Sequence, residues 1–570
     1  MIRFCVAFLF FSLPVCAQAL FHHSPDSLLS ELRSGYRGET TVQGVRVETL
    51  YEGYWTPPEV IDPPSHTDPI TDFDPLQSTF SWMYDSTSYR ALVASALAFL
   101  QTEWSTADEK YSGAFDNTFY VDWSTGDNAD DGSTTGLAWK DLDYAVDYVL
   151  ANHDAEATEI VLLDGVQYLD ANAGDAGTGD PVGGAATVRI DDWGGVAIDP
   201  LVIRSNSGNR EDCIVRIDHA WLNANFDDIK DGFPISGVEL NCGIQVNGTT
   251  SYVEFWDFTL VGPQFEVPFW EKGGDAVGIL ATGHTGDNIE AINIAAVQWP
   301  HCGFKGDMQL YGCLADNNGT GEGNKAGATD HGVYFSDGAS EPTLVGSIIL
   351  NSYGNGINPR NFDISNLVIR GNIIGHSGGF GGDIGGLFSV IEHNLFINSN
   401  YQGISWDGDF AGGWFRNNVF YEDDIDLQSK PPDQYKRAIG FTWQTNAGLT
   451  GETLDSLPSL QAWPSTTEVE RPANVTASGN NYVNRTTDGP VTTGSTTPAC
   501  GSGTCSDDVV TWTFVNAAGN ESLGVLTTID SDDFNDFLNF DFRPASGSDL
   551  LSNATNVGYG TTIGPFNAAP

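Results

Sequence analysis

Seven polar residues in the middle of the chain follow a recurring Gly–apolar pair and are candidates for chemistry. The pair stands at Gly303, Gly332, Gly356 and Gly403, and the spacing described below adds Gly379. Side chains alternate between the two faces of a strand, so residues two and four positions after each glycine face away from the apolar residue that follows it. The predicted outward residues are Lys305, Asp307, Tyr334, Asn358, Arg360, Asp383 and Asp407.

Lys305, Tyr334 and Arg360 are the predicted acid–base residues of an elimination reaction. In a lyase that acts on a uronic-acid polysaccharide, a base removes the proton alpha to the sugar carboxylate, and that carboxylate must be neutralised. Lys305 or Arg360 supplies the base in this interpretation, and Tyr334 is an alternative acid or base. His331 and His301 begin coils beside these residues and are further candidate bases, with a hydrogen-bonded structural role as the competing interpretation.

The acidic members of the set predict a cation site and leave two other functions open. Asp383 and Asp407 are predicted on adjacent coils, about 4.8 Å apart, which suits a shared Ca²⁺. Asp307 and Asn358 are predicted substrate contacts. Two of Asp307, Asp383, Asp407 and Asp409 would instead be the paired acids of a glycoside hydrolase. A carbohydrate-binding surface without catalysis is the third interpretation.

Two repeating series of residues indicate the strands and turns that must position these candidate residues. Gly–apolar pairs stand at Gly243, Gly278, Gly303, Gly332, Gly356 and Gly403. Their intervals are 35, 25, 29, 24 and 47 residues, the last close to two repeats. A second series, Asn372, Asn394 and Asn418, has intervals of 22 and 24 and follows the first by 15 or 16 residues. Counting back 15 from Asn394 predicts that the missing repeat begins at Gly379.

A repeat of this length with several short apolar strands is typical of stacked coils in a parallel solenoid. Inward Ile, Val and Phe are predicted to fill the core, and inward Asn to hydrogen-bond the backbone of turns. The fold class predicted is therefore all-β.

Two segments resemble secreted right-handed parallel β-helix proteins of the pectate-lyase-like superfamily. In these proteins a motif of the form YVD…G.D…DG…W..L..A leads into the helix that caps the solenoid. The matching residues here are Tyr120, Val121, Asp122, Gly126, Asp127, Asp131, Gly132, Trp139, Lys140, Leu142 and Ala145. The segment from Asp541 to Leu551 is similar to their closing segment. The resemblance spans about 115 to 570 and implies a right-handed parallel β-helix with an N-terminal capping helix.

The resemblance does not extend to one subfamily. Alginate- and chondroitin-type lyases of this fold carry Arg-His-Gly, whereas Asp330-His331-Gly332 stands at the matching place. The Asn-Thr-Asp, Asp-Asp and Gly-His-Gly set of polygalacturonases is also missing. The Gly-rich run at 319–327 lacks the Gly-Lys-Ser/Thr of a phosphate loop, and we expect no organic cofactor.

The acidic amino-acid composition excludes two classes of binding partner. The chain has 570 residues, 76 of them acidic and 24 basic, for a formal net charge of −52. Such a surface lacks the basic footprint that nucleic acids need and is not attracted to anionic membranes. An extracellular polysaccharide is the expected partner. If that polysaccharide is anionic, a bound Ca²⁺ or the cations of Lys305 and Arg360 would have to offset its repulsion from the acidic protein surface.

Residues 1–19 are predicted to be a secretory signal peptide, so the protein is expected to be extracellular or periplasmic. No later stretch approaches the 18 apolar residues of a membrane span. Six cysteines follow, and an even number in an exported chain suggests disulfides, here between sequence neighbours. The predicted pairs are Cys213–Cys242, Cys302–Cys313 and Cys500–Cys505.

The predicted domain organisation has two parts after the signal peptide. Residues 20–113 form an N-terminal extension of unassigned role, with a helix at 89–104. Residues 114–570 form the β-helix, which begins with a capping helix at 137–150. Residues 423–475 lack the repeat and are predicted to be a long loop or flap.

Overall fold

The computed structural model describes residues 41–42, 45–46, 87–169, 185–217, 240–262, 277–282, 288–299, 301–319, 331–335, 341–352, 354–359, 364, 366–375, 377, 381–387, 389–397, 402–411, 414–416, 418–421, 437–443, 468–469, 482–484, 510–512, 534–536, 541–551 and 564–566. For some of these, including 383 and 407, the backbone alone is described. The predicted signal peptide and the Cys500–Cys505 pair lie outside the described residues. No helix among those described is long and apolar enough to cross a membrane.

Three parallel sheets wind around one core, and each full coil gives one strand to each sheet in turn. The first sheet contains β3 (Asn117–Val121), β4 (Thr158–Leu162), β7 (Leu201–Ser205), β10 (Val253–Trp256), β13 (Ile289–Ile292), β16 (Gln309–Tyr311), β19 (Thr343–Val345), β22 (Val368–Arg370), β25 (Val390–Glu392) and β28 (Trp414–Arg416). The second contains β5 (Gly165–Leu169), β8 (Cys213–Ile217), β11 (Thr259–Val261), β14 (Ala295–Val297), β17 (Leu314–Asp316), β20 (Ile348–Leu350), β23 (Ile373–Gly375), β26 (Leu395–Ile397) and β29 (Val419–Tyr421). The third contains β6 (Ala185–Asp191), β9 (Leu240–Asn247), β12 (Val277–Ala281), β15 (Cys302–Gly306), β18 (His331–Tyr334), β21 (Ile357–Asn358), β24 (Gly382–Leu387), β27 (Gln402–Ala411), β30 (Arg437–Trp443) and β31 (Glu468–Val469).

Smaller elements flank these sheets. They are the antiparallel pairs β1 (Thr41–Val42) with β2 (Val45–Arg46), β32 (Tyr482–Asn484) with β33 (Val510–Trp512), and β34 (Phe534–Asp536) with β35 (Asp541–Pro544), and the helices α1 (Thr87–Glu103) and α2 (Leu142–Asn152). Short 3-10 helices span Thr106–Glu109, Thr135–Leu137 and Asp549–Leu551. The predicted right-handed parallel β-helix is confirmed. Residues 423–475, predicted to be a loop or flap, include β30 and β31 of the third sheet.

The Asn series forms a buried ladder at the turn between the first and second sheets. The side-chain oxygen of Asn394 accepts hydrogen bonds from the backbone N–H and the Nδ2 of Asn372, both at 3.0 Å. Asn418 binds Asn394 in the same way, at 3.0 and 2.9 Å. Ser347 donates its backbone N–H to Asn372 at 2.8 Å. Each inward amide therefore satisfies turn backbone that the parallel ladders leave unbonded, as predicted.

The Gly series lies in register across the third sheet, and the close stacking of coils explains it. A methyl group on Gly278 would lie 2.5 Å from the carbonyl oxygen of Gly303. On Gly332 and Gly356 it would lie 2.7 and 2.6 Å from the carbonyls of Gly356 and Gly381. Any larger residue would therefore push adjacent coils apart.

One predicted register is wrong. Gly382 pairs with Ile357 and with Ile404, so the coil begins at Gly381 rather than at Gly379. The connection between the third and first sheets is shorter in this coil, and a constant offset of 15 residues therefore does not hold.

The N-terminal end of the core is closed by α2, which begins at Leu142, later than predicted. Leu142, Ala145, Val146 and Val149 are buried against the core cluster. Trp139 precedes the helix in a backbone bridge to Val121 and is itself buried. The aromatic side chain thus seals the first coil before the helix begins.

Helix α1 confirms the helix predicted at 89–104 and gives this part of the extension a structural role. Its apolar face (Val93, Leu97 and Leu100) packs on the outer face of the second sheet. Gln101 donates its side-chain N–H to Asn293 Oδ1 at 2.8 Å and to the Gly312 carbonyl at 2.9 Å. The second sheet is therefore apolar on both faces, with the core on one side and α1 on the other.

The two described cysteine pairings predicted from the sequence are wrong. Cys213, Cys242, Cys302 and Cys313 are buried thiols that form no disulfide. Cys242 and Cys302 lie together on the third sheet, whereas Cys213 and Cys313 belong to the central core. Neighbours in sequence therefore lie on different sides of a coil. Burial raises the pKa of the Cys313 thiol to about 12, so this thiol is held in its neutral form.

Candidate functional site

The pairing of strands in the third sheet brings three of the predicted residues, Lys305, Tyr334 and Asn358, into one row. In the order of the coils the row reads Gln245, Leu280, Lys305, Tyr334 and Asn358, and the backbone positions that continue it are Asp383 and Ser405. Adjacent members belong to strands about 4.8 Å apart. Lys305, Tyr334 and Asn358 are therefore on three successive coils, as the Gly series predicts.

Lys305 is at the centre of the described part of this row. Its Nζ lies 3.4 Å from Nε2 of His301 and 5.4 Å from the centre of the Tyr334 ring. Lys305 and Tyr334 are both half-buried, while His301 is buried. An ammonium or amine group is thus held between an imidazole and an aromatic face, with one side open to solvent.

His331 lies behind Tyr334. Its ring is stacked on the Tyr334 ring at 5.5 Å between centres and 13° between planes, and it is fully buried. The backbone N–H of Asn355 donates to its Nδ1 at 3.2 Å, and the Asn358 carboxamide lies 2.7 Å from its Nε2. Burial places the His331 ring out of direct reach of a substrate in the open row.

These contacts determine the tautomer of His331. Since Nδ1 accepts a hydrogen bond, the neutral ring carries its proton on Nε2. The atom at 2.7 Å from Nε2 is Asn358 Nδ2, and a half-turn of the carboxamide about its terminal bond puts Oδ1 there to accept the hydrogen bond from Nε2–H. This orientation also gives a partner to Asn358 Oδ1, which is otherwise buried without one. Asn358, predicted to bind substrate, is 1% exposed and directed at His331.

The remaining predicted residues are less closely tied to this cluster. Asp307 follows β15, is half-buried, and donates its backbone N–H to the Ala281 carbonyl at 3.0 Å. The backbone of Asp383 is opposite Ser405, whereas Asp407 is two positions further along β27. The two aspartates are thus on adjacent coils but out of register. Arg360 lies outside the described residues.

An apolar wall beside the row was not anticipated. Cys242, Val277 and Cys302 precede the glycines and pack with Leu280 and Tyr334. Paired strands place His331 next to Cys302 in the same column. The sequence contained a signal for this wall, because an apolar or imidazole residue comes just before each of the first four glycines of the series.

His301 is the other residue that the sequence underrated. It is four residues before Lys305, at the start of the same coil, and that short separation was the available signal. Among described side chains, no group of three or more His, Cys, Asp or Glu could hold a metal ion. The predicted calcium ligands Asp383 and Asp407 are not among those side chains.

Comparison with solved structures finds proteins of similar fold. Pectate lyase Pel9A matches over 82% of this chain and 99% of its own, with a TM-score of 0.47 and 12% identity. An alginate lyase from Paenibacillus sp. str. FPU-7 matches over 62% of this chain and 96% of its own, with a TM-score of 0.36 and 12% identity. A GH136 lacto-N-biosidase from Eubacterium ramulus matches over 58% of this chain and 67% of its own, with a TM-score of 0.31 and 10% identity. No protein-family model and no curated protein sequence matches the chain.

Proposed function

We propose that the protein is an exported polysaccharide lyase that cleaves a uronic-acid polysaccharide by β-elimination on the outer face of the third sheet. The observation that carries the proposal is the position of Lys305 Nζ, 3.4 Å from His301 Nε2 and beside the Tyr334 ring. Elimination needs a base, a proton donor and a positive charge near the sugar carboxylate. Lys305 and Tyr334 supply the first two on adjacent coils.

In the proposed reaction, the neutral amine of Lys305 takes the proton alpha to the sugar carboxylate. The electron pair of that C–H bond forms the new carbon–carbon double bond, and the bond to the glycosidic oxygen breaks. The Tyr334 hydroxyl donates its proton to the departing oxygen. His301 orients the amine by accepting its hydrogen bond, and His331 fixes the plane of the Tyr334 ring through stacking.

A bound Ca²⁺ would neutralise the sugar carboxylate, and Asp383 and Asp407 are the residues proposed to hold it. Their backbones are on adjacent strands, β24 and β27, at the end of the row beyond Asn358. Carboxylate oxygens are ligands that Ca²⁺ prefers. Arg360 is a further proposed cation for the same carboxylate.

Product chemistry tests this proposal directly. The protein is incubated with a panel of uronic-acid and neutral polysaccharides, and both ultraviolet absorbance of unsaturated ends and new reducing ends are measured. Elimination produces both signals, because the new double bond is conjugated with the carboxylate. Reducing ends without absorbance would favour a hydrolase that uses Asp307, Asp383, Asp407 or Asp409. Neither signal, with retention of the protein on a polysaccharide, would favour a non-catalytic binding module.

A further inference from the structure

Three turns that leave the second sheet are stacked on successive coils. Gln298, Asn317 and Asn351 come immediately after β14, β17 and β20, with left-handed φ angles of 60°, 58° and 53°. The backbone N–H of Gln298 donates to the Asp316 carbonyl at 3.1 Å, and that of Asn317 to the Leu350 carbonyl at 3.2 Å. The three carboxamide side chains therefore leave the backbone at equivalent points, about 4.8 Å apart.

Two amides of this stack, those of Gln298 and Asn317, are buried without a hydrogen-bond partner. Gln298 and Asn317 are 0% exposed, and neither the oxygen nor the nitrogen of either carboxamide has a hydrogen-bond partner. The hydroxyl of Ser352, on the third turn, is in the same condition. A buried polar group without a partner destabilises the folded state, because it has lost its hydrogen bonds to water. Folded proteins contain few such groups, and a cluster of them indicates an ion or water that completes the site.

The neighbouring amide of Asn318 shows that burial alone does not leave a carboxamide without hydrogen-bond partners. Asn318 is equally buried and follows Asn317 directly. Its oxygen accepts from the Trp299 backbone N–H at 2.9 Å, and its nitrogen donates to the Ala296 carbonyl at 3.0 Å. The fold therefore uses the amide of Asn318, whereas the amides of Gln298 and Asn317 are left for another partner.

A carboxylate completes the set. Asp316 ends β17, is fully buried, and accepts a hydrogen bond at 2.7 Å from Asn351 Nδ2. That bond orients the carboxylate. The side chains on the three turns carry the oxygen atoms of one carboxylate, three carboxamides and one hydroxyl. Oxygen donors without imidazole or thiolate are the ligands of hard cations rather than of transition metals.

We propose that Gln298, Asp316, Asn317, Asn351 and Ser352 form a binding site for a hard divalent cation of the calcium class. The site clamps three coils where they turn into the third sheet. It is separate from the proposed Asp383/Asp407 site and does not depend on the proposed lyase function. Complete burial fits an enclosed ion better than a polysaccharide chain, which needs an open groove.

The substitution Gln298→Met tests the site because it keeps the length of the side chain and removes only its polar atoms. The full chain is stripped of metal with a chelator, and Ca²⁺ binding is measured by titration calorimetry and by the midpoint of thermal unfolding. Without metal, Gln298→Met is expected to unfold at a higher temperature than the wild type, because a buried amide without partners is gone. With Ca²⁺ the order is expected to reverse, and the variant should bind this ion at least about tenfold more weakly. Gln309→Met, on the outer face of the first sheet, is the matched control and should leave Ca²⁺ affinity unchanged.

Equal Ca²⁺ affinity of the wild type and Gln298→Met, or no uptake of Ca²⁺ by the wild type, would overturn the proposal. Terbium provides a second measurement in case the variant does not fold. Tb³⁺ bound beside Gln298 should emit when the neighbouring Trp299 is excited, and Ca²⁺ should suppress that emission in the wild type and in Asp383→Asn alike. The proposed site is contradicted if the wild type shows no Tb³⁺ emission that Ca²⁺ suppresses. It is also contradicted if that emission is lost in Asp383→Asn, because the ion would then be bound elsewhere.

Discussion

Nζ of Lys305 and Nε2 of His301 lie 3.4 Å apart on one coil, and the two residues have opposite surroundings. His301 is buried, whereas Lys305 is half-buried and reaches the open face of the third sheet. The imidazole can therefore direct the amine while remaining out of reach of a polysaccharide. This relationship makes His301 a positioning residue in the proposed reaction.

Replacing His301 tests that role. His301→Ala is expected to lower kcat by about 10- to 100-fold with little change in KM, because the amine loses its hydrogen-bond acceptor. His301→Gln retains an acceptor oxygen and should recover part of the rate. Initial rates of unsaturated-end formation measure both. Equal rates for the Ala and Gln variants would show that the hydrogen bond is not used.

A half-buried acid, Glu290, predicts the pH dependence of stability. Glu290 is directly opposite Glu254 on adjacent strands of the first sheet. Burial, followed by the charges of Glu254 and Glu109, raises the pKa of Glu290 from 4.5 to about 8. The folded state therefore retains a proton that the unfolded chain releases.

Stability is accordingly expected to fall as the pH rises between about 4.5 and 8, by up to about 1.4 kcal/mol per pH unit from this group. Glu290→Gln removes the titration and should flatten this part of the profile. Denaturant unfolding at several pH values measures the effect, with the exposed Glu341→Gln as the control. A Glu290→Gln profile parallel to that of the wild type would contradict the assignment.

The glycine column predicts a large cost for one added methyl group. Gly332→Ala would place a methyl carbon 2.7 Å from the carbonyl oxygen of Gly356 on the next coil. We expect a loss of about 1–3 kcal/mol in the free energy of unfolding, because neither backbone can move without disturbing the ladder. Gly136→Ala is the matched control, since nothing lies within 4 Å of its added carbon. Similar stabilities of the two variants in urea would show that the coils are less tightly stacked.

The N-terminal helix α1 is expected to contribute to stability through its contact with the second sheet. Leu97 is 1% exposed in that contact, and Leu97→Ala should cost about 2–5 kcal/mol. Ser95→Ala changes an exposed position of the same helix and should have little effect. Thermal unfolding of both variants distinguishes a packed helix from a loosely attached one.

The sequence predicted the solenoid because its two residue series have physical causes that repeat in every coil. Glycine is needed where adjacent backbones approach closely, and Asn418, Asn394 and Asn372 satisfy the same turn in successive coils. The predicted register was wrong for the coil that begins at Gly381, which is 13 residues before Asn394. The connections between the third and first sheets differ in length from coil to coil. Spacing alone does not fix a register when one connection per coil varies.

The candidate site was predicted in part for the same reason. Alternation along the strand placed Lys305 and Tyr334 on the outer face. It did not show that His331 is buried behind Tyr334 or that Asn358 is directed at His331. Both depend on contacts between neighbouring coils, which alternation along one strand does not give. The predicted Cys213–Cys242 and Cys302–Cys313 disulfides were wrong because proximity in sequence says little about which side of a coil a side chain occupies.

The most direct test of the proposed lyase is the activity of Lys305→Met on a polysaccharide that the wild type cleaves. Methionine retains the unbranched apolar stem against Tyr334 and removes the amine. The proposal predicts that the formation of unsaturated ends falls at least about 100-fold while the unfolding midpoint is unchanged. Formation of unsaturated ends at the wild-type rate would contradict the assignment of Lys305 as the base.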